Sequence, residues 1–207
     1  MVLGLGSGRA LWAFVQLLAK EPWKQTLRVA AASGATEDRA REAGLDVVAL
    51  DGEIVLDLVV DGADEVDGEL NLLKGHGAAL LREKLLVVNG RRFLAIAEAS
   101  KRVQRLGEQQ TLPVEVVRFA WGATRRRLLD IVPSASLRAQ PDGAPLVTDE
   151  GHYLLHVGVP PTGDLHALSD AIINTVGVVE HGLFLGMADE VLLGTPDGRV
   201  DHLVTTD

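Results

Sequence analysis

The chain contains no cysteine among its 207 residues. That excludes a disulfide scaffold, thiol catalysis and cysteine-ligated zinc. No apolar run approaches the ~18 residues of a membrane span, and no basic start leads into an apolar signal segment. A soluble cytoplasmic protein with no membrane partner is the expectation. Positive charge is also scarce. Lysine and arginine number 20 against 29 aspartates and glutamates, a net charge of −9. Such a balance argues against nucleic acid as a partner. The one basic cluster, Arg125-Arg126-Arg127, precedes Leu128-Leu129 in a helical pattern and reads as a solvated helix face. Internal repeats and low-complexity segments are absent too. What is present is ordinary globular composition, 47% hydrophobic and 24% charged, in a length that allows one domain or two.

The chain is organised around Leu56 to Lys84, LDLVVDGADEVDGELNLLKGHGAALLREK. The branched apolar run Leu56 to Val60 suits a strand buried on both faces of a parallel sheet. It stops at Asp61-Gly62-Ala63-Asp64-Glu65. In open α/β sheets ligands lie beyond the carboxyl ends of the strands, so a site is expected at these acids. Lys74-Gly75-His76-Gly77 follows, a turn whose glycines let the backbone come close to a ligand. Ala78 to Val88 reads as a helix with Leu80, Leu81 and Leu85 on its apolar stripe. Acids, a lysine, a glycine turn and Glu83 are thus expected to converge.

Upstream, Val2 to Leu5 reads as a strand running into Gly4-Leu5-Gly6-Ser7-Gly8, and Arg9 to Ala19 as a helix. Backbone N–H groups at such a helix start suit an anion; a plain tight turn is the competing reading. A dinucleotide fingerprint is disfavoured. Its third glycine falls on Arg9, and the second strand, Leu27 to Ala32, ends without an acid for a ribose. Ser33 or Thr36 is expected to cap a helix beginning near Glu37. Further strands are expected at Asp46 to Leu50 and Phe93 to Ala97. Strands alternating with helices predict an α/β parallel-sheet domain. After Gly107 the pattern changes to strands at Val114 to Phe119, Ser136 to Ala139, Leu146 to Thr148, Tyr153 to Val157 and Val178 to Leu183, with helices at Gly122 to Ile131 and Leu165 to Thr175. That predicts an inserted small α+β, ferredoxin-like domain over 109–184. Residues 1–108 and 185–207 form the sheet domain, the latter closing as a hairpin.

The acids, lysine and glutamate suit an aldose–ketose interconversion. A glutamate withdrawn from water can serve as the base beside a carbonyl. A lysine and turn amides can stabilise the oxyanion. A second carboxylate can move hydroxyl protons during ring opening. The competing readings are a solvated, capped loop or a metal site. The spacing of Asp61, Asp64, Glu65 and Asp67 does not fit a calcium loop, and Lys74 would compete for the carboxylates. No metal is expected. His76 reads as an exposed turn side chain rather than a donor, and His152 with His156 as a strand-face pair.

These stretches resemble ribose-5-phosphate isomerase, type A. The matches are Gly4 to Gly8, Asp61 to Asp67, Leu73-Lys74-Gly75, Ala79 to Lys84, Ser100-Lys101, Leu112 to Val116, Gly177 to Glu180 and Gly182 to Phe184, in family order over nearly the whole chain. The resemblance implies a Rossmann-like domain with an inserted α+β domain and a metal-independent isomerase without cofactor. It implies a homodimer or tetramer, with the homodimer expected. It further implies that Glu83 moves the proton between C1 and C2 through an enediolate. Asp61 would assist ring opening, and Lys74 with the Gly75–Gly77 backbone, His76 included, would hold the oxyanion. Asp64 would bind hydroxyls, and Lys101 would help hold the phosphate. From the residues themselves, Gly62 and Ala63 are expected beside the substrate, and Ser7, Gly8, Arg9, Ala10, Ser33 and Thr36 near its phosphate.

The departures cluster at the phosphate end. The family's Thr-Gly-Ser-Thr is Ser7-Gly8-Arg9-Ala10 here, the helix that usually precedes the first strand is expected to be missing, and His181 replaces a threonine. Arg9 is expected to replace the lost contacts with a forked, charged donor. The alternatives are that Arg9 fills the pocket and a related sugar phosphate is the substrate, that the chain is a non-catalytic sugar-phosphate sensor, or that it is an inactive, shortened paralogue.

Overall fold

A computed structural model describes residues 1–161 and 163–205. In chain order its elements are β1 (Val2–Leu5), α1 (Arg9–Leu18), β2 (Arg28–Ala31), α2 (Gly34–Glu42), β3 (Asp46–Val47), β4 (Leu58–Gly62), β5 (Glu65–Val66), β6 (Leu72–Leu73) and α3 (Leu80–Val88). They continue with β7 (Phe93–Glu98), β8 (Leu112–Val116), α4 (Trp121–Leu128), β9 (Ala135–Leu137), β10 (Tyr153–Val157), α5 (Leu165–Ile173), β11 (Val178–His181), β12 (Leu183–Phe184), β13 (Glu190–Gly194) and β14 (Val200–Val204). The chain packs as two compact units. One comprises Met1–Ala63, Arg82–Lys101 and Gly186–Asp207, the other Asp64–Leu81 and Arg102–Leu185. Residues 64–81 and 102–108, assigned to the sheet domain on sequence, pack with the second unit; β5 pairs with β6 and β6 with β12, outside the large sheet.

The first unit is a seven-stranded sheet in the order β14-β13-β7-β4-β1-β2-β3. All pairings are parallel except that of β13 with β14. From β1 the chain steps to β2 and β3 in one direction, and from β4 to β7 and β13 in the other. This is the doubly wound, Rossmann-like order, with its reversal between β1 and β4. All four residues of β1 are buried, and Leu11, Val15 and Leu18 of α1 pack with Leu3, Leu5, Val29, Ala40 and Val60. Their spacing of four and three residues is that of one helical face.

The second unit carries a four-stranded antiparallel sheet, β11-β8-β10-β9. With α4 after β8 and α5 after β10, this is the ferredoxin-like βαββαβ arrangement. Its core joins Leu112, Val114 and Val116 of β8 to Leu128, Leu155, Val157 and Ile172.

Some expected elements differ. Leu146 to Thr148 is not a strand; Val147 makes only an isolated bridge to Tyr153. Separate backbone bonds hold this segment, the Leu146 amide on Arg138 O and the Thr148 amide on His152 O, together with the Thr148 hydroxyl on the buried Glu115 carboxylate at 2.8 Å. The helix expected near Glu37 begins at Gly34, with Ser33 as its N-cap accepting from the Thr36 amide. On α3, Leu85 is 47% exposed while Leu80, Glu83, Leu86 and Val87 are buried. The buried face is therefore rotated from the leucine stripe, and a carboxylate occupies it.

Candidate active site

In the first unit, the expected site residues gather at the carboxyl ends of four adjacent strands. Ser7 to Ala10 follow β1, Ser33 and Thr36 follow β2, Asp61 and Gly62 end β4, and Lys101 closes a short turn after β7. Asp61 and Ser7 flank the reversal in strand order, where open α/β sheets place their ligands. Asp61 is fully buried. Its Oδ1 accepts the Ser7 amide at 3.1 Å and the Gly62 amide at 2.7 Å. The loop after β1 thus gives its Ser7 amide to the protein's own carboxylate. Gly6 makes this possible. A Cβ there would lie 1.8 Å from the Asp61 carboxyl carbon, so only glycine leaves the space.

Beyond Ser7 the helix start remains open. Gly8, at φ 102°, caps α1 without a side-chain bond, and Arg9 and Ala10 are exposed in its first turn. A helix start carries amides without intrahelical partners. Hydroxyls line the neighbouring strand end. Ser7 Oγ is 3.0 Å from Ser33 Oγ, which donates to Thr36 Oγ1 at 3.1 Å, and Trp12 Nε1 donates to the same Thr36 oxygen at 3.2 Å. Thr36 is fully enclosed, so it braces Ser33 from behind. Glu83 lies in the first turn of α3 and is 3% exposed. Side chains of this type are almost never so buried unless paired.

In the second unit, Lys74 follows β6, is 3% exposed, and holds its Nζ 5.4 Å from the Phe184 ring centroid. Its amide donates to Gly182 O at 2.9 Å. A Cβ at Gly182 would stand 2.0 Å from the Lys74 carbonyl oxygen, so the close approach needs a glycine. The turn closes with the Ala78 amide on Gly75 O at 2.9 Å, with Gly75 and Ala78 both left-handed. Asp64 Oδ2 accepts the His76 amide at 3.1 Å. His76 is not merely exposed: it is half-buried, and its Nε2 lies 2.9 Å from Thr111 O.

The remaining acids of the run serve loops. Glu65, fully buried, accepts from the amides of Gly107, Gln109 and Gln110 at 2.5–2.7 Å. Asp67 holds the amides of Glu69 and Asn71 at 2.9 Å each. Among the described residues, no group of three or more histidine, aspartate or glutamate side chains is placed to hold a metal ion. No helix among them is long and apolar enough to cross a membrane.

Residues 28–198 match the model of ribose 5-phosphate isomerase A, also called phosphoriboisomerase A. The chain belongs to this family. The matched span contains Ser33, Asp61, Lys74, Glu83 and Lys101. A family member from Synechococcus sp. is 43% identical over 201 residues, 96% of this chain and 87% of its own. One from Caulobacter vibrioides is 45% identical over 205 residues, covering 97% and 89%. Among solved structures, the ribose 5-phosphate isomerase from Plasmodium falciparum superposes with a TM-score of 0.94 at 30% identity, covering 100% of this chain and 92% of that one. A D-ribose-5-phosphate isomerase in complex with phospho-erythronic acid gives 0.93 at 32%, covering 99% and 90%.

On sequence, Glu65 and Asp67 read as part of the expected site, as a solvated capped loop or as metal candidates, not as loop fasteners. Their roles as loop fasteners depend on amides 40 or more residues away or on a tight turn, which no local pattern reveals. Sequence reasoning also passed over Arg138, whose Nη1 donates to His76 O at 2.5 Å. The substituted His181 is buried, with Nδ1 accepting from the Leu183 amide and Nε2 3.0 Å from Ser169 Oγ.

Proposed function

We propose that this isomerase-family chain interconverts ribose 5-phosphate and ribulose 5-phosphate, without a metal, through an enediolate. The observation that carries the reading is the family match across a span in which Asp61, Lys74 and Glu83 are all present and all buried. Glu83 takes the proton from C2 of the open-chain aldose. The electron pair forms the C1–C2 double bond, and negative charge collects on the oxygens. Lys74 and a turn amide stabilise that charge. Glu83 returns the proton to C1, a hydroxyl proton passes from O2 to O1, and the ketose results. Asp61 moves hydroxyl protons as the ring opens, and Asp64 binds substrate hydroxyls beside Gly62 and Ala63. Ser7, Ser33, Lys101 and the amides at the start of α1 receive the phosphate, with Arg9 supplying the charge and Thr36 bracing Ser33.

The homodimer and the cytoplasmic location belong to the same proposal. Phe119 and Val176, 89% and 76% exposed in the second unit, supply apolar surface that self-association would cover. Sedimentation of the purified protein tests the assembly, and cell fractionation tests the location. A second reading, a related sugar phosphate as substrate, is favoured by the altered Ser7-Gly8-Arg9-Ala10 loop. Comparison of kcat/KM across pentose phosphates separates the two.

The primary experiment is ribulose 5-phosphate formation from ribose 5-phosphate with EDTA present. Turnover is expected in the wild type and a loss of about 10³-fold in Glu83→Gln, with an unchanged melting temperature. Near-normal kcat in Glu83→Gln would remove Glu83 from the base role. No turnover by folded wild type on any pentose phosphate would leave the sensor reading in place.

A further inference from the structure

The turn after Lys74 has its hydrogen-bond donors already divided. The His76 amide goes to Asp64 and the Ala78 amide to Gly75 O. The Gly77 amide makes no hydrogen bond among the described residues. It is therefore the donor of the turn's inner residues left to face an oxyanion. The Gly77 N–H belongs to the same peptide group as the His76 carbonyl, and the peptide bonds of the described residues are trans, so the two point in opposite directions. On that carbonyl sits the Arg138 guanidinium, 2.5 Å away.

A cationic donor on a carbonyl oxygen draws electron density from the peptide nitrogen and strengthens its N–H as a donor. The surrounding contacts fix the same peptide in place. Three adjacent strands of the ferredoxin-like sheet contribute. Arg138 follows β9, and its own amide and carbonyl are bonded to Leu154 O and the Leu146 amide. Thr111 precedes β8 and takes the His76 imidazole at 2.9 Å. His156, on β10, packs its ring edge-on against His76 with centroids 4.9 Å apart, and its Nδ1 meets Thr111 Oγ1 at 3.2 Å. His156 is held neutral, its pKa lowered to about 4 by burial and by His76 and Arg138, so it adds no competing cation beside the guanidinium.

We propose that Arg138 and His76 are positioning residues for the reaction: Arg138 polarises the His76–Gly77 peptide so that the Gly77 N–H stabilises the enediolate oxygen, and His76 locks the orientation of that peptide. This rests on the isomerase reading of Lys74 and its turn. Such a donor works on developing charge, so its loss lowers kcat and leaves substrate binding nearly intact.

The test is steady-state kinetics of Arg138→Ala, Arg138→Gln and Arg138→Lys on ribose 5-phosphate, with inhibition by phospho-erythronic acid, whose carboxylate mimics the enediolate oxygens. Arg138→Ala is expected to lose about tenfold in kcat with KM within twofold. Arg138→Lys, which keeps a cation, is expected to recover most of the loss, and Arg138→Gln less. Inhibitor affinity is expected to fall with kcat. Unchanged kcat in Arg138→Ala, or a rise in KM alone, would overturn the proposal. If Arg138→Ala does not fold, equal kcat in the Lys and Gln variants overturns it instead. Lys74→Ala distinguishes the levels: if that change is also silent, the isomerase assignment of the turn fails; if it abolishes turnover while Arg138→Ala is silent, only the present inference fails.

Discussion

Asp61 and Glu65 are neighbours in sequence, carry the same charge and are both fully buried, yet the two units use them differently. Asp61 ends a parallel strand of the first unit, beside the reversal in strand order. It is placed by topology, and glycine at position 6 keeps its space open. Glu65 lies in a two-residue strand of the second unit, with both oxygens committed to three amides of one loop. Burial of a carboxylate therefore does not by itself mark chemistry. The role proposed for Asp61 rests on where its strand ends.

The sharpest way to break this comparison is to neutralise each acid in turn. Asp61→Asn is expected to lower kcat about a hundredfold with little effect on melting. Glu65→Gln is expected to do the reverse. Replacing an acceptor by an amide donor against three N–H groups should cost about 3 kcal/mol, a fall of roughly 6–12 °C in Tm, with kcat per folded molecule retained. If both variants lose activity in proportion to stability, the distinction collapses. Next in size is Gly6→Ala. Its methyl group would displace the Asp61 carboxyl, and a drop of about tenfold in kcat is expected by the same assay. Arg9→Ala addresses the altered loop. A rise of about tenfold in KM for ribose 5-phosphate at constant kcat is expected from the loss of one charged phosphate contact. An unchanged or lower KM would favour Arg9 as a pocket-filling residue and a different sugar phosphate.

The smallest effect concerns pH and the second unit. His156 has its folded pKa lowered to about 4 by burial and by His76 and Arg138. The unfolded chain binds its proton first, near pH 6.5. Stability from this group is thus fully present above pH 6.5 and is lost as pH falls toward 4. Thermal melts of His156→Asn are expected to show a shallower decline over that window than the wild type. A matching slope in both would remove His156 from the account.

Much of the first unit was legible in the sequence, because its signals are local. The apolar run before Asp61, the glycine loop before Arg9 and the Ser33 cap each announce an element within a few residues. Even there the fine placement shifted: β4 extends through Asp61 and Gly62, since both pair with β7 at Ala95 and Ile96. The α3 leucines misled in another way. Leu85 is as apolar as Leu80, but the buried face includes Glu83, and a pattern of hydrophobicity cannot anticipate a buried acid. In the second unit, β5, β6 and β12 are two residues long and owe their existence to partners far along the chain. Arg138 carried no signal at all, because its acceptor is a backbone carbonyl, which every residue possesses.

The pairing of β6 with β12 has a consequence for the order of assembly. Leu73 pairs with Leu183, and the Lys74 amide with Gly182, so the strand just before the lysine closes on a segment about 110 residues later. Contacts of such separation come late on a folding route, after the loop between them has been closed. During synthesis, a chain that has emerged only through α3 already contains Asp61, Lys74 and Glu83, but lacks the strand that fixes the lysine. The lysine is thus translated early and its amide is fixed late, once the second unit has closed.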